Sequence, residues 1–362
     1  MNYLGERFPG IGNALETAGL VLAPTSLSSH LVTHAGRQRL VYIKHDESSG
    51  RLYGGNKVRK LDYLLARARQ RGARAVATFG AVGSHHALAT ALYAHALGFE
   101  PICFLGHQPS IDHVRDALGA HVAIGTRIVR YGGDRAKRVR TLREHLHKDK
   151  TWVIPAGGSS WLGAAGFVDA GLELASQLAE SGDAPPARIY VANGTMGTAA
   201  GLALGLALGD VDTEVHAVRV TEEAFASREG TFRLMVKIAT LLNGIDDRFP
   251  ADLPRRARIR HRGEFVGDGY TRPTTASEAA IDRARDTLGL TLETTYTAKA
   301  CAALFADTAT RAAGDAPLMF WNTYNARPLP APESVTLEDT GLPADFARYF
   351  DSPDTDSPPA SS

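Results

Sequence analysis

Short apolar strands alternate with helical segments from about residue 40 to about residue 325. Residues 75–79 have the pattern of a buried strand, residues 87–97 that of a helix, and residues 101–105 that of another strand. This alternation is typical of parallel sheets whose two faces are covered by helices. It predicts an α/β fold built from three layers.

Composition excludes several classes of function. The 40 basic and 39 acidic residues give a net charge of +1, so no broad positive surface is expected for nucleic acid or for membrane lipid. Cys103 and Cys301 are the only cysteines, and the histidines lack metal-ligand spacing, so we expect no metal site and no disulfide. The chain also lacks an apolar run of membrane-spanning length and a signal peptide, which predicts a cytoplasmic protein.

Three other segments carry structural expectations. Residues 351–362 are rich in proline, serine and aspartate, and this composition predicts a disordered tail. Residues 127–150 mix basic, acidic and leucine residues and are expected to form a solvated helix face. Residues 121–124 are expected to be extended.

The segment Gly54-Gly55-Asn56-Lys57 precedes an amphipathic helical pattern at residues 61–71. A lysine at a helix start lies near the positive end of the helix dipole, which lowers the pKa of an amine. Such an amine can form a Schiff base with a carbonyl compound. A glycine turn followed by a basic helix start is the structural alternative.

A glycine-rich loop follows the apolar strand at residues 189–192 and leads into a helix of small residues. Glycines let backbone N–H groups turn towards an anion, and a helix start favours a phosphate. The loop matches neither the Walker motif nor the dinucleotide fingerprint, which argues against a nicotinamide oxidoreductase. A plain strand-to-helix turn remains open. The predicted phosphate-binding residues are Gly194, Thr195, Met196, Gly197 and Thr198.

A third strand–turn–helix segment contains Ser84, His85 and His86. The serine and the first helical amides could bind a carboxylate, and the histidines could hydrogen-bond a ring or transfer protons. Structural roles for the two histidines are the alternative.

Taken in order, these segments resemble the fold type II, or tryptophan-synthase-β-like, pyridoxal-phosphate enzymes. Within them the chain is similar to the 1-aminocyclopropane-1-carboxylate deaminase and D-cysteine desulfhydrase family. The matching motifs are YIKHDE at residues 42–47, GGNKVRKL at 54–61, IPAGGS at 154–159 and LGAAGFV at 162–168, with the loop at 194–198.

The resemblance implies pyridoxal 5′-phosphate as cofactor and two parallel-sheet domains with the cofactor in the cleft between them. Residues 1–59 and 166–345 would form the large, cofactor-binding domain, and residues 60–165 the small one. The resemblance also implies a homodimer and a small amino acid as substrate.

The resemblance implies site roles as well. Lys57 would form the Schiff base and take the substrate Cα proton, Ser84 would lie next to the reacting substrate, and Tyr270 and Tyr296 would flank it. Thr323 would face the pyridine nitrogen and leave it largely unprotonated, which suits elimination better than transamination. The further expected contacts are Asn56 and His85 to the cofactor, and His85, His86, Trp161 and Tyr296 to the substrate.

Positions 85, 297, 324 and 325 depart from the family pattern. His85 replaces an asparagine that bonds the 3′-oxygen of the cofactor, and Tyr324-Asn325 replaces a glycine pair. Trp161 and Trp321 are expected to add bulk near the substrate. Thr297 replaces the deaminase-type glutamate, which argues against ring-opening deamination.

The predicted function is a pyridoxal-phosphate-dependent lyase or deaminase that removes a Cα proton and catalyses α,β-elimination, giving a 2-keto acid and ammonia. β-Replacement and racemisation remain alternatives because both begin with loss of the same proton. A non-catalytic homologue that binds cofactor or ligand is the alternative from outside enzymes.

Overall fold

The computed structural model describes residues 2–109, 112–146, 150–310, 314–330 and 342–350. Its contacts divide the chain into two compact units. Unit 1 comprises residues 1–73 and 154–328, and unit 2 comprises residues 74–153 and 329–362.

Unit 1 is built on a six-stranded sheet in the order β1-β2-β10-β7-β8-β9. Its strands are β1 (Leu27–His34), β2 (Arg37–His45), β7 (Arg188–Asn193), β8 (Glu214–Arg219), β9 (Ile259–Arg262) and β10 (Leu318–Asn322). The pairs from β2 to β9 are parallel, as predicted, whereas β1 and β2 form an antiparallel hairpin at one edge. The hairpin was not predicted, because the expectation was drawn from strand–helix alternation that begins only at β2.

The described residues of unit 1 form nine α-helices. They are α1 (Tyr3–Arg7), α2 (Pro9–Ala14), α3 (Asn56–Gln70), α7 (Trp161–Ser181), α8 (Gly197–Leu208), α9 (Arg228–Asn243), α10 (Leu253–Arg256), α11 (Thr275–Leu288) and α12 (Thr297–Thr308). Apolar side chains of β2 and β10, among them Ile43 and Phe320, pack with α11 and α12 in one buried cluster. A Cβ on Gly171 of α7 would lie 2.7 Å from Gly205 Cα of α8, so small residues allow these two helices to pack closely.

Unit 2 contains a four-stranded parallel sheet in the order β5-β4-β3-β6. Its strands are β3 (Ala75–Ala81), β4 (Glu100–Gly106), β5 (Arg127–Arg130) and β6 (Thr151–Val153), and its helices are α4 (His85–Ala96), α5 (Asp112–Ala123) and α6 (Arg135–His145). Residues 342–350 belong to this unit, and the buried Phe346 and Tyr349 pack with Val82 and Leu105.

The observed units differ from the predicted domain bounds of 60 and 165. Residues 60–73 lie in unit 1 because α3 packs along α7: a Cβ on Gly166 would lie only 2.0 Å from Arg59 O. The segment at 342–350 lies in unit 2 for the packing reason given above, and the predicted tail at 351–362 lies outside the described residues.

Two local predictions were wrong. Residues 121–123 end helix α5, where His121 is buried, instead of forming extended chain. Residues 127–130 form strand β5 beside β4, and the expected solvated helix is formed, among the described residues of that range, by residues 135–145. In the described part of the chain, no helix combines the length and apolar character that a membrane crossing requires.

Candidate active site

The glycine pair before α3 is required by the backbone. Gly55 has φ of +79°, and a Cβ there would lie 2.3 Å from Thr323 O. A Cβ on Gly54 would lie 1.7 Å from Glu47 O. Larger residues at either position would therefore displace the first turn of α3, which carries Lys57.

Lys57 is partly buried, and its Nζ lies 5.8 Å from the ring centroid of Tyr296. Burial lowers the pKa of the Lys57 amine to about 8, although the charge of Glu293 opposes this shift. A neutral amine is the nucleophilic form, so the position suits Schiff-base chemistry.

A buried cluster of charged side chains anchors α3 through Arg59. Arg59 Nε donates to Asp46 Oδ2 at 2.9 Å, and Arg59 Nη1 donates to Glu173 Oε2 at 2.9 Å. Burial alone would raise the pKa of Glu173, but Arg59 and Lys44 lower it to about 2. The motifs at residues 42–47 and 54–61 are thus joined by the ion pair of Asp46 with Arg59.

Trp321 belongs to this cluster and not to the substrate side. Its side chain is fully buried, and Nε1 donates to Asp46 Oδ2 at 2.7 Å. The expectation that Trp321 adds bulk near the substrate was therefore wrong, because the indole satisfies a buried carboxylate.

The loop at residues 194–198 joins β7 to α8. Met196 has φ of +69°, and its N–H donates to Asn193 Oδ1 at 3.0 Å. A second glycine-rich loop packs against it: Ser159 Oγ lies 2.8 Å from Thr195 Oγ1, and a Cβ on Gly157 would lie 2.2 Å from that same atom. The two loops therefore form one compact polar structure at the start of α8.

Lys60 supplies a buried amine at this structure. Its side chain is 1% exposed, and Nζ donates to Gly157 O at 3.1 Å and Ser159 Oγ at 3.3 Å. No described carboxylate pairs with it, and burial, followed by the charge of Lys57, holds its pKa well below the ordinary lysine value. Asn193 Nδ2 is another buried donor without a partner among the described residues.

These donors suit a bound phosphate group. A buried amine without a carboxylate, a buried amide donor and a helix start all favour an anion at this place. Sequence reasoning found the loop but missed Lys60, although its spacing of three residues from Lys57 places both on one helix face.

Asn56 connects the lysine helix to the loop. Its Nδ2 donates to Thr198 Oγ1 at 2.9 Å, and both side chains are buried. The first residues of α3 and α8 are thus held together, as a cofactor bound by both would require.

Tyr296, whose ring lies next to Lys57, forms a pair with Tyr270. Tyr270 Oη and Tyr296 Oη are 2.6 Å apart, and their rings meet edge to face. Burial raises the pKa of Tyr270 to about 12 and that of Tyr296 well above its usual value. Both hydroxyls are therefore protonated near neutral pH and can donate hydrogen bonds.

Glu293 organises the start of α12, next to these tyrosines. Its carboxylate accepts from Tyr296 N at 2.9 Å, from Thr297 N at 2.7 Å and from Thr297 Oγ1 at 3.0 Å. Thr297 is thus a buried helix-start residue. Glu293 was missed by sequence reasoning, because a capping role four residues before a helix gives no signal of catalytic chemistry.

Thr323 follows β10 and is partly exposed, and its carbonyl approaches Gly55. The expectation that Thr323 faces the pyridine nitrogen of the cofactor remains a prediction. Trp161 is the first residue of α7 and is also partly exposed, so its substrate contact remains a prediction too.

The remaining site candidates lie in unit 2. Ser84 caps α4 by accepting from Ala87 N at 3.2 Å. His85 is partly exposed and stacks on His113 with ring centroids 4.2 Å apart. His86 is 3% exposed and lies 2.9 Å from Thr78 Oγ1 through Nε2, which gives it an anchoring role in the unit.

A family model described as "Pyridoxal-phosphate dependent enzyme" matches residues 20–321. The chain belongs to this family. It is a pyridoxal-phosphate-dependent enzyme of fold type II, as the motifs predicted.

Among its relatives, nocardicin C-9′ epimerase of Nocardia uniformis subsp. tsuyamanensis is 32% identical over 321 residues, which cover 87% of this chain and 94% of that protein. D-Cysteine desulfhydrase of Salmonella choleraesuis (strain SC-B67) is 30% identical over 322 residues, covering 85% and 93%. A crystal structure of an ACC deaminase homologue superimposes with a TM-score of 0.72 at 26% identity, covering 90% and 95%. The desulfhydrase and the deaminase homologue support a lyase or deaminase that depends on pyridoxal phosphate.

Proposed function

We propose that this enzyme removes the Cα proton of a small amino acid and catalyses α,β-elimination, giving a 2-keto acid and ammonia. The observation that carries the proposal is the Lys57 amine, whose pKa of about 8 and place beside Tyr296 suit both Schiff-base formation and proton transfer.

The cofactor phosphate would be held by the loop at residues 194–198 and by Lys60. Thr198 would be oriented there by its hydrogen bond from Asn56. Pyridoxal phosphate, when bound, supplies a ring that withdraws electrons from the Cα of an amino acid joined to it. The buried amine of Lys60 gains a counter-charge when the phosphate is present, which removes the cost of burying it alone.

Lys57 has two tasks in succession. It would hold the cofactor, and its free amine would accept the Cα proton of the substrate. A pKa near 8 keeps a useful fraction of this amine neutral at physiological pH.

The tyrosine pair acts as a donor and not as a base. With raised pKa values, Tyr270 and Tyr296 keep their protons, and one hydroxyl can donate outward while it accepts from the other. We propose that this donor orients the substrate and assists departure of the group on Cβ. Ser84 and His85 of unit 2 are proposed to contact substrate and cofactor, respectively.

Epimerisation is the second candidate, favoured by the 32% identity to an epimerase. It shares the loss of the Cα proton but returns a proton to the opposite face. Elimination instead releases the Cβ substituent, and water converts the resulting unsaturated amine to keto acid and ammonia.

Incubation of the cofactor-loaded enzyme with paired D- and L-amino acids in D2O separates these outcomes. Cysteine, serine and β-chloroalanine test elimination, and alanine tests epimerisation without a leaving group. Elimination predicts ammonia and keto acid in equal amounts; epimerisation predicts the opposite enantiomer with deuterium at Cα and no ammonia. If the wild type yields neither in a broad panel, or if Lys57→Ala retains full activity, the proposal is wrong.

We further propose a cytoplasmic homodimer. The family resemblance supports the dimer, and the two cysteines, both unoxidised and buried, fit a reducing compartment. Light scattering of the purified protein tests the dimer, with a mass near twice 38.7 kDa expected and the monomer mass contradicting it.

A further inference from the structure

The segment after β10 contacts the glycine turn that precedes Lys57. Gly54 N donates to Asn325 Oδ1 at 2.6 Å. The same oxygen accepts from Arg327 N at 3.0 Å, and Asn325 Nδ2 donates to Arg327 O at 2.7 Å. The amide of Asn325 is thus fixed at both ends and is aimed at the turn.

Backbone contacts close the turn on its other sides. The absent Cβ of Gly55 leaves room for Thr323 O and Tyr324 O, which would be 2.3 and 2.8 Å from it. Ala326 N donates to Glu47 O at 3.0 Å, and Glu47 O is the atom that approaches Gly54. Residues 323–326 therefore enclose the glycine pair.

Two bonds hold Gly55 itself: its N–H donates to Asp46 O at 2.7 Å, and its O accepts from Ser49 Oγ at 2.9 Å. Gly55 is the N-cap residue of α3 and, having no side chain, makes no capping hydrogen bond. Glycine also has the largest conformational freedom to lose on folding. The only side-chain hydrogen bond to the glycine-pair N–H groups in the described structure comes from Asn325.

We propose that Asn325 is a positioning residue, which holds the Gly54 N–H and thereby sets where α3 presents the Lys57 amine. This inference rests on the proposed role of Lys57. Without this side chain, the Gly54 N–H would have no side-chain partner among the described residues.

The test compares cofactor-loaded wild type with Asn325→Ala and Asn325→Asp. Asn325→Asp keeps an oxygen that accepts from Gly54 N and Arg327 N. Asn243→Ala is the control, because Asn243 of α9 is another asparagine whose side chain bonds the backbone of unit 1, by donating to the carbonyls of Asp247 and Phe249. Two readouts are followed: deuterium exchange of the peptide containing Gly54, and the pH midpoint of the bound-cofactor absorbance.

Loss of one backbone-holding hydrogen bond predicts about threefold to tenfold faster exchange at Gly54 in Asn325→Ala, together with a shifted midpoint. Asn325→Asp should restore most of the exchange protection, and Asn243→Ala should change neither readout. If Asn325→Ala does not fold, Asn325→Gly takes its place with the same expectation.

The inference would be overturned if Asn325→Ala matched the wild type in both readouts. That means an exchange rate at Gly54 within about twofold of wild type and an absorbance midpoint within about 0.2 pH units of it, roughly the limits of such measurements. Faster exchange with an unchanged midpoint would also overturn it, because Asn325 would then be only a structural anchor. Failure of the proposed function is recognised separately, since the wild-type absorbance would then be absent or would survive Lys57→Ala.

Discussion

The lowered pKa of Lys57 gives a quantitative prediction. With the ordinary value of 10.5, about one amine in a thousand is neutral at pH 7.5; with a value of about 8, about a quarter are neutral. The neutral amine is the reactive form, so the reactive fraction of Lys57 should be roughly 200-fold larger at this pH than its ordinary pKa would allow. Burial is the physical cause, because it penalises the ammonium form.

Competitive labelling measures this directly. Cofactor-free protein is treated with acetic anhydride from pH 6 to pH 11, and acetylation of Lys57 is quantified by peptide mass spectrometry. The exposed Lys237 in the same digest provides an internal comparison. We expect a midpoint near pH 8 for Lys57, and a still lower midpoint in Glu293→Gln, because the carboxylate opposes the shift. A midpoint above pH 10 would refute the reasoning.

Three further changes have defined consequences. Gly55→Ala should destabilise the protein and abolish cofactor absorbance, because φ of +79° and the approach to Thr323 O exclude a Cβ; thermal unfolding and a visible spectrum measure both. Arg59→Met should lower the free energy of unfolding by about 3–5 kcal/mol in urea titrations, since it removes the ion-pair partner of the buried Asp46 and leaves the buried Glu173 with Lys44 alone. A loss below about 1 kcal/mol would contradict this. Lys60→Met should raise the dissociation constant of the cofactor at least about tenfold, because a charge-assisted contact to its phosphate is lost. Equilibrium dialysis measures this constant, and an unchanged value would exclude Lys60 from phosphate binding.

The sequence was a good guide to local features. Strand–helix alternation predicted the parallel strands, and glycines next to a lysine or threonines marked the starts of α3 and α8. Both signals work because they depend on neighbours in the chain, such as burial on two faces or backbone freedom at a turn.

Features that depend on distant contacts were not predicted. Asn325 meets Gly54 across 271 positions, and nothing near either residue indicates the partner. Trp321 was expected near the substrate, but its indole N–H satisfies Asp46 in the core. Lys60 looks like one more basic residue of an amphipathic helix until its burial beside the glycine loops is seen.

The predicted domain bounds differ from the observed units for a related reason. Residues 60–73 continue α3, and only the packing of α3 on α7, through the close approach of Gly166 to Arg59 O, assigns them to unit 1. Composition does not change at residue 60, so the sequence offered no boundary there.

The most direct test of the account is the visible spectrum of the purified protein with pyridoxal phosphate, compared with that of Lys57→Ala. We predict an absorbance band of lysine-bound cofactor in the wild type that is lost in Lys57→Ala, while the variant keeps its fold by circular dichroism. A band of equal strength in both proteins would show that another group holds the cofactor and would contradict the central role of Lys57.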